Sequence, residues 1–155
     1  MKINYLLIPL LVVLVAVTGS FFTSQGIESG WYDQIVKPSW TPAGSLIGAV
    51  WTTIFILFAA AVLIFWNWAR RDNLFWVIIA GFVLNGFLNV FWSYLFFYEG
   101  MIAAAFFEAI VLSLSVAVLI YLTLPKVKIT AYLLVPYLLW VSFASYLNFI
   151  ILTLN

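Results

Sequence analysis

The side chains able to do chemistry in this chain are few, and they fall at helical intervals inside apolar segments. Asn85, Asn89 and Trp92 follow one another at i, i+4, i+7, which sets them on one face of a helix. Trp140, Ala144 and Asn148 share a face at i, i+4, i+8, and Trp51, Phe55 and Phe58 form a third stripe. Glu108 is the one carboxyl group within such a segment. There is no histidine and no cysteine. Cys/His zinc sites, axial histidine ligation of haem, and Ser-His or Cys-His nucleophilic catalysis are therefore excluded, and no metal site is expected. What remains is stacking by indole and phenyl rings, hydrogen bonding by amides, and one carboxyl. Such groups suit a large, flat, mostly apolar ligand and suit a sugar or an inorganic ion poorly.

These residues are positioned by membrane spans. Apolar residues make up 67% of the 155-residue chain, charged residues only 7%, and mean hydropathy is +1.21. A soluble domain carries about 25% charged residues, so the chain reads as an integral membrane protein in contact with lipid. Five segments approach the roughly 20 residues that cross a bilayer: 4–22, 45–66, 74–97, 101–124 and 131–154. The expected fold is all-α, a single five-helix transmembrane domain. The apolar runs are too long, and lack the alternation, for a lipid-facing barrel. Pro9 and Pro136 fall within a turn or so of their span starts, where proline is tolerated. Lys2, Arg70, Arg71, Lys126 and Lys128 fall on one side and only Lys37 on the other. This bias predicts a cytoplasmic N-terminus and an outward-facing C-terminus. Lys2 and the apolar run after it also fit a signal peptide, but the run has nearly full spanning length. Near-neutral net charge, +1, gives no reason to expect nucleic acid.

With that orientation the Trp51, Asn89/Trp92 and Trp140/Asn148 faces meet in the outer half of the bundle, with Glu108 two turns into the fourth span. Above them runs the long polar segment from Trp31 to Gly44. There Trp31, Tyr32, Pro38, Trp40 and Pro42 make a stiff aromatic connector, because each proline fixes its own φ and restrains the residue before it. Each group also has a purely structural reading. Span asparagines glue helices together, and Trp66, Trp68 and Trp76 fit an interfacial belt. Trp51 and Trp140 lie too deep for a belt, leaving core packing or a ligand wall. Glu108 faces the interior, pairs or stays protonated.

The order Trp31-Tyr32, Lys37-Pro38-Ser39-Trp40-Thr41-Pro42, Trp51, Leu88-Asn89 with Trp92 and Phe96-Phe97, then Pro136-Tyr137-Leu138-Leu139-Trp140 with Phe143-Ala144 and Leu147-Asn148, resembles the TspO/MBR family. This is the translocator protein, or peripheral-type benzodiazepine receptor, family. The resemblance runs from Trp31 to the end of the chain. It implies a five-helix bundle, often a homodimer, that binds tetrapyrroles such as protoporphyrin IX and haem. It also implies binding of isoquinoline-carboxamide and benzodiazepine ligands. By the same resemblance the pocket includes Trp51, Asn89, Trp92, Trp140, Ala144 and Leu147, lidded by Trp31 through Pro42. Two departures stand out. Phe149 and Thr153 replace the tyrosine and basic residue of the cholesterol-recognition segment, so cholesterol binding is not expected. Trp40-Thr41-Pro42-Ala43 replaces the usual Trp-x-Pro-Pro, which loosens the lid.

The first functional expectation is a receptor or sensor for porphyrin-like ligands, with no required cofactor, most simply in a bacterial cell membrane. The expected ligand-binding residues are Trp31, Tyr32, Pro38, Trp40, Pro42, Trp51, Phe55, Asn89, Trp92, Glu108, Trp140, Ala144, Leu147 and Asn148. The resemblance also admits light-dependent breakdown of protoporphyrin IX, in which Trp51 and Trp140 would be the catalytic residues. A tetrapyrrole or lipid transporter ranks third, since no internal repeat is visible.

Overall fold

The structure is a computed structural model and describes residues 3–155; Lys2, counted above in the charge bias, lies outside them. Five long helices are apolar enough to cross a membrane: α1 (Asn4–Glu28), α3 (Gly44–Trp68), α4 (Asn73–Ser93) with its continuation to Tyr98, α5 (Ile102–Thr123) and α6 (Lys128–Leu154). A short helix, α2 (Trp31–Gln34), lies in the first connection. No strand is present among the described residues. With no water in hydrocarbon to satisfy backbone groups, each span must close its own hydrogen bonds as a helix. The chain is an integral membrane protein.

Several boundaries differ from the sequence expectation. α1 runs to Glu28, six residues beyond Phe22, because its polar end is satisfied internally. Thr23 Oγ1 donates to the Gly19 carbonyl at 3.0 Å and Ser24 Oγ to the Ser20 carbonyl at 2.8 Å. α6 begins at Lys128, so Pro136 lies more than two turns inside the helix and leaves the Tyr132 carbonyl without its i+4 amide. The end of the fourth-element span is a π-helical turn, Tyr94–Tyr98. It closes on Gly100, whose φ of 66° belongs to glycine, and the Met101 amide donates back to the Leu95 carbonyl at 2.9 Å.

The spans pack in a closed ring, α1–α3–α6–α5–α4 and back to α1. At the end bearing Trp68 and Asp72 the centre of the ring is filled. Phe65 stacks on Phe75 with centroids 5.4 Å apart, and Phe58 and Phe65 both meet Phe82. Ile78, Leu112, Val116 and Leu134 complete this core. Since lipid tails are as apolar as these side chains, the core is held by close packing rather than by expulsion of water. Trp68 and Trp76 are exposed, as an interfacial belt requires. The Arg71 guanidinium lies over the Trp66 ring at 4.4 Å.

Two contacts fix the ends. At the filled end the Asp72 carboxylate caps α4 through the Phe75 amide at 2.9 Å and pairs with Lys126 at 2.7 Å. The hydrogen bond from Lys126 and the Phe75 amide hold its carboxyl below the usual carboxylate range. At the other end Gly26 lets α1 lie against the π-helical turn. A Cβ there would fall on the Phe97 carbonyl and come within 2.9 Å of the Phe97 Cβ.

Gly26→Ala should therefore lower the thermal unfolding midpoint in detergent. The clash costs about 1–3 kcal/mol, more than the ~1 kcal/mol of helix propensity that alanine adds; an unchanged midpoint would show that α1 does not need this approach. A folded-state value below the unfolded one means that the Asp72 contribution is complete above the ordinary carboxylate pKa and lost as pH falls through the lowered value. Asp72→Asn should destabilise the protein at neutral pH, and its deficit relative to wild type should shrink on the acid side of the carboxylate range.

Candidate functional site

At the end bearing α2 the ring is not filled. A cavity of about 490 Å³ occupies its centre, within the size range of small-molecule sites. Every span contributes to the wall. α3 supplies Trp51 and Phe55, whose rings stack at 5.6 Å, and Trp51 meets the Tyr137 ring edge-on at 6.0 Å. α6 supplies Trp140, Val141, Phe143, Ala144, Leu147 and Asn148, and α5 supplies Ala109 and Leu112. Among the described residues no Asp, Glu, Lys or Arg lines the cavity.

The π-helical turn shapes the α4 wall. The π turn, with its i→i+5 hydrogen bonds, widens the end of this helix, and Phe97 joins Phe96 beside Trp92. The Trp92 and Phe96 rings stack at 5.2 Å, and Phe97 meets Trp92 edge-on at 5.9 Å. Beneath them Asn89 Nδ2 donates to the Tyr137 hydroxyl at 3.1 Å, and Asn85 Nδ2 donates to Ser115 Oγ at 2.8 Å. Three wall residues keep polar atoms buried and unpartnered: the indole nitrogens of Trp92 and Trp140, and both amide atoms of Asn148.

Of the expected residues, Tyr32, Trp51, Phe55, Asn89, Trp92, Trp140, Ala144, Leu147 and Asn148 line the cavity. Trp31, Pro38, Trp40, Pro42 and Glu108 lie outside its wall. Trp31 packs edge-on against Phe96 at 5.2 Å and rests on Gly100, where a Cβ would come within 2.8 Å of its indole nitrogen. Trp40 is 45% exposed and stacks on Tyr146 at 5.8 Å. The Pro38 carbonyl accepts from the Thr41 amide and hydroxyl, closing a turn that leads to Pro42. These groups brace the connector rather than face the cavity. Glu108 is 7% exposed with both carboxyl oxygens unpartnered, and its neighbour Ala109 reaches the wall instead.

Residues not expected from the sequence include Ala16, Gly19, Ser20, Thr23 and Ile27 of α1. Their i, i+3, i+4, i+7, i+11 spacing is the signal that marks them as one helical stripe. Several wall residues are also surface-exposed: Ser20 and Ile27 on α1, Gly44, Gly48 and Thr52 on α3. The cavity thus opens between α1 and α3.

The connector is braced within itself by Lys37 and clamped to α6 by Asn155. Lys37 Nζ donates to the Tyr32 carbonyl and to the Ile35 carbonyl at 3.2 Å, and it lies 4.3 Å over the Tyr32 ring. Burial, with the Asp33 charge beside it, raises the Tyr32 phenol above its usual value, so it stays neutral at ordinary pH. The Asn155 side chain then clamps Val36, accepting from its amide at 2.9 Å and donating to its carbonyl at 3.0 Å.

Residues 7–154 match the TspO/MBR family. The chain is 34% identical to the "Tryptophan-rich protein TspO" of Bacillus cereus, covering 94% of this chain and 95% of that one. It is 38% identical to the protein of the same name in Chlorobaculum tepidum, covering 94% and 91%. It is 36% identical to the one in Archaeoglobus fulgidus, covering 100% and 99%. A five-span bundle with an indole-walled cavity and a match over nearly its whole length make this chain a member of the TspO/MBR family.

Proposed function

We propose that the protein is a membrane receptor or sensor that binds porphyrin-like tetrapyrroles, and isoquinoline-carboxamide or benzodiazepine-type ligands, in the cavity at the α2 end. The observation that carries this reading is a cavity of about 490 Å³ walled by Trp51, Trp92 and Trp140 with no charged side chain. A flat macrocycle gains dispersion and offset stacking against such rings. The carboxylates of a porphyrin would be desolvated without a counter-ion inside, so they stay at the opening between α1 and α3 while the ring enters. The 29–43 connector, braced by Lys37 and clamped by Asn155, acts as the lid. No side chain in the wall has a nucleophile–base pairing, which favours binding over conventional catalysis.

The wall assignment is tested by titrating the purified protein with protoporphyrin IX and following the change in the porphyrin's absorption. Loss of two stacking partners in the Trp51→Ala, Trp140→Ala double variant removes ~1–3 kcal/mol, a loss of about fivefold or more in affinity. Unaltered affinity would overturn the assignment. The lid is tested separately. Asn155→Ala frees Val36, so ligand association and dissociation should both speed up several-fold while affinity moves little; stopped-flow traces that superimpose on wild type would show that the clamp does not gate access.

A further inference from the structure

A second void lies deeper in the bundle, among α1, α3, α4 and α6, and measures about 190 Å³. Phe55 and Asn89 stand between it and the cavity at the α2 end, lining both. The hydrogen bond from Asn89 Nδ2 to the Tyr137 hydroxyl closes this partition. Phe58 stiffens the inner wall, meeting Phe82 edge-on at 5.6 Å and Tyr137 at 5.9 Å. Two contacts keep α1 from moving in to fill the space. Gly86 lies so near Val15 that an added Cβ would come within 3.3 Å of its Cγ2, and Asn4 Nδ2 donates to Asn67 Oδ1 at 3.1 Å.

The chemistry of the wall decides what such a void can hold. Asn85, Asn89 and Tyr137 are its only polar residues. Asn85 Nδ2 is committed to Ser115 Oγ and Asn89 Nδ2 to Tyr137, and the unpartnered Asn85 Oδ1 has no exposed surface. The rest of the wall is aliphatic or aromatic. A buried water needs two to four polar partners, and an apolar void of this scale stays dry while accepting apolar guests.

The position of the mouth selects the guest. Leu11, Leu14 and Val83 are the exposed members of the wall, so the void opens to lipid between α1 and α4. Leu14 and Val83 each lie ten residues from the starts of their helices at Asn4 and Asn73, about 15 Å at 1.5 Å per residue. That is half of the ~30 Å hydrocarbon core, a depth occupied by the methyl ends of lipid chains and not by headgroups. We infer that this void is a binding site for the methyl end of a phospholipid acyl chain, which enters between α1 and α4. The inserted chain end makes the dispersion contacts with Val12, Phe58 and Phe82 that an empty void forfeits. The site is separate from the cavity at the α2 end and does not depend on that cavity's ligand.

The full chain in lipid nanodiscs doped with a photoactivatable lipid tests it. One probe is a phosphatidylcholine with a diazirine at the methyl end of an acyl chain; the comparison lipid carries the diazirine beside the ester. Adducts are mapped by peptide mass spectrometry after illumination. The methyl-end probe should label the buried wall residues Ile8, Val12 and Phe82 at least as strongly as the lipid-exposed Leu10, Val13 and Leu84. The ester-end probe should leave the three buried residues unlabelled. Val62→Phe, which fills the void from α3, should lower the buried adducts several-fold and leave the exposed ones unchanged. Methyl-end adducts confined to exposed residues overturn the inference whether or not the variant folds, as do buried adducts that persist undiminished in folded Val62→Phe. A second copy of the chain over the mouth is the competing occupant. The chain has no cysteine, so Val83→Cys introduces a unique thiol. Ready disulfide pairing between copies of that variant, with the wall unlabelled in wild type, would place a second copy there and overturn the lipid site.

Discussion

A polar atom inside a bilayer has no water to turn to, and that constraint organises this bundle. Backbone groups meet it by forming helices. Most polar side chains meet it across or along those helices: Asn85 with Ser115, Asn89 with Tyr137, Asn4 with Asn67, Ser113 with Ser145, and Thr130 with the Ala61 carbonyl. Most of the exceptions gather around one place, with Asn85 Oδ1 lying apart from it. The unpaired nitrogens of Trp92 and Trp140 and the amide of Asn148 all border the cavity, and Glu108 sits one residue behind its wall. A fold that pairs most of its polar groups elsewhere and leaves several open here has gathered most of its unused hydrogen-bonding capacity where space is also left open.

The two ends of the ring divide the labour between packing and vacancy. Stacked phenyl rings fill the centre between α3 and α4 at the Asp72 end, and the same kinds of side chain line a void at the other. What differs is the backbone around them. Gly26 and the π-helical turn bring α1 against the end of the α4 span, and the closed ring keeps the wall spread open between helices that cannot approach further. Aromatic side chains thus act as mortar at one end and as an exposed lining at the other.

Much of this was legible in the sequence, because span length and helical period are local properties. The faces carrying Asn85, Asn89 and Trp92, and carrying Trp140, Ala144 and Asn148, could be read directly, and both reach the cavity except for Asn85. Three features were not legible. The end of α1 looked like a loop because Thr23, Ser24 and Gln25 are polar, yet the Thr23 and Ser24 hydroxyls bond back into their own helix and so need no water. The π-helical turn has no composition signature, being a change in hydrogen-bond register. Glu108 had a readable depth but not a readable azimuth, since which neighbour a helix face meets depends on how the ring closes. Trp31 and Trp40 were expected to bind ligand as part of the lid, and only the packing on Phe96, Gly100 and Tyr146 shows that they turn away from the cavity wall.

The clamp between Val36 and Asn155 joins residues 119 positions apart. A membrane chain is made and folded from its N-terminal end, so the connector is complete long before the residue that secures it exists. Until α6 arrives the ring is open and the connector has no anchor, and that helix both supplies the Trp140 wall and fastens the segment above it. The indole wall and the fastening of the connector are thereby supplied by the same helix.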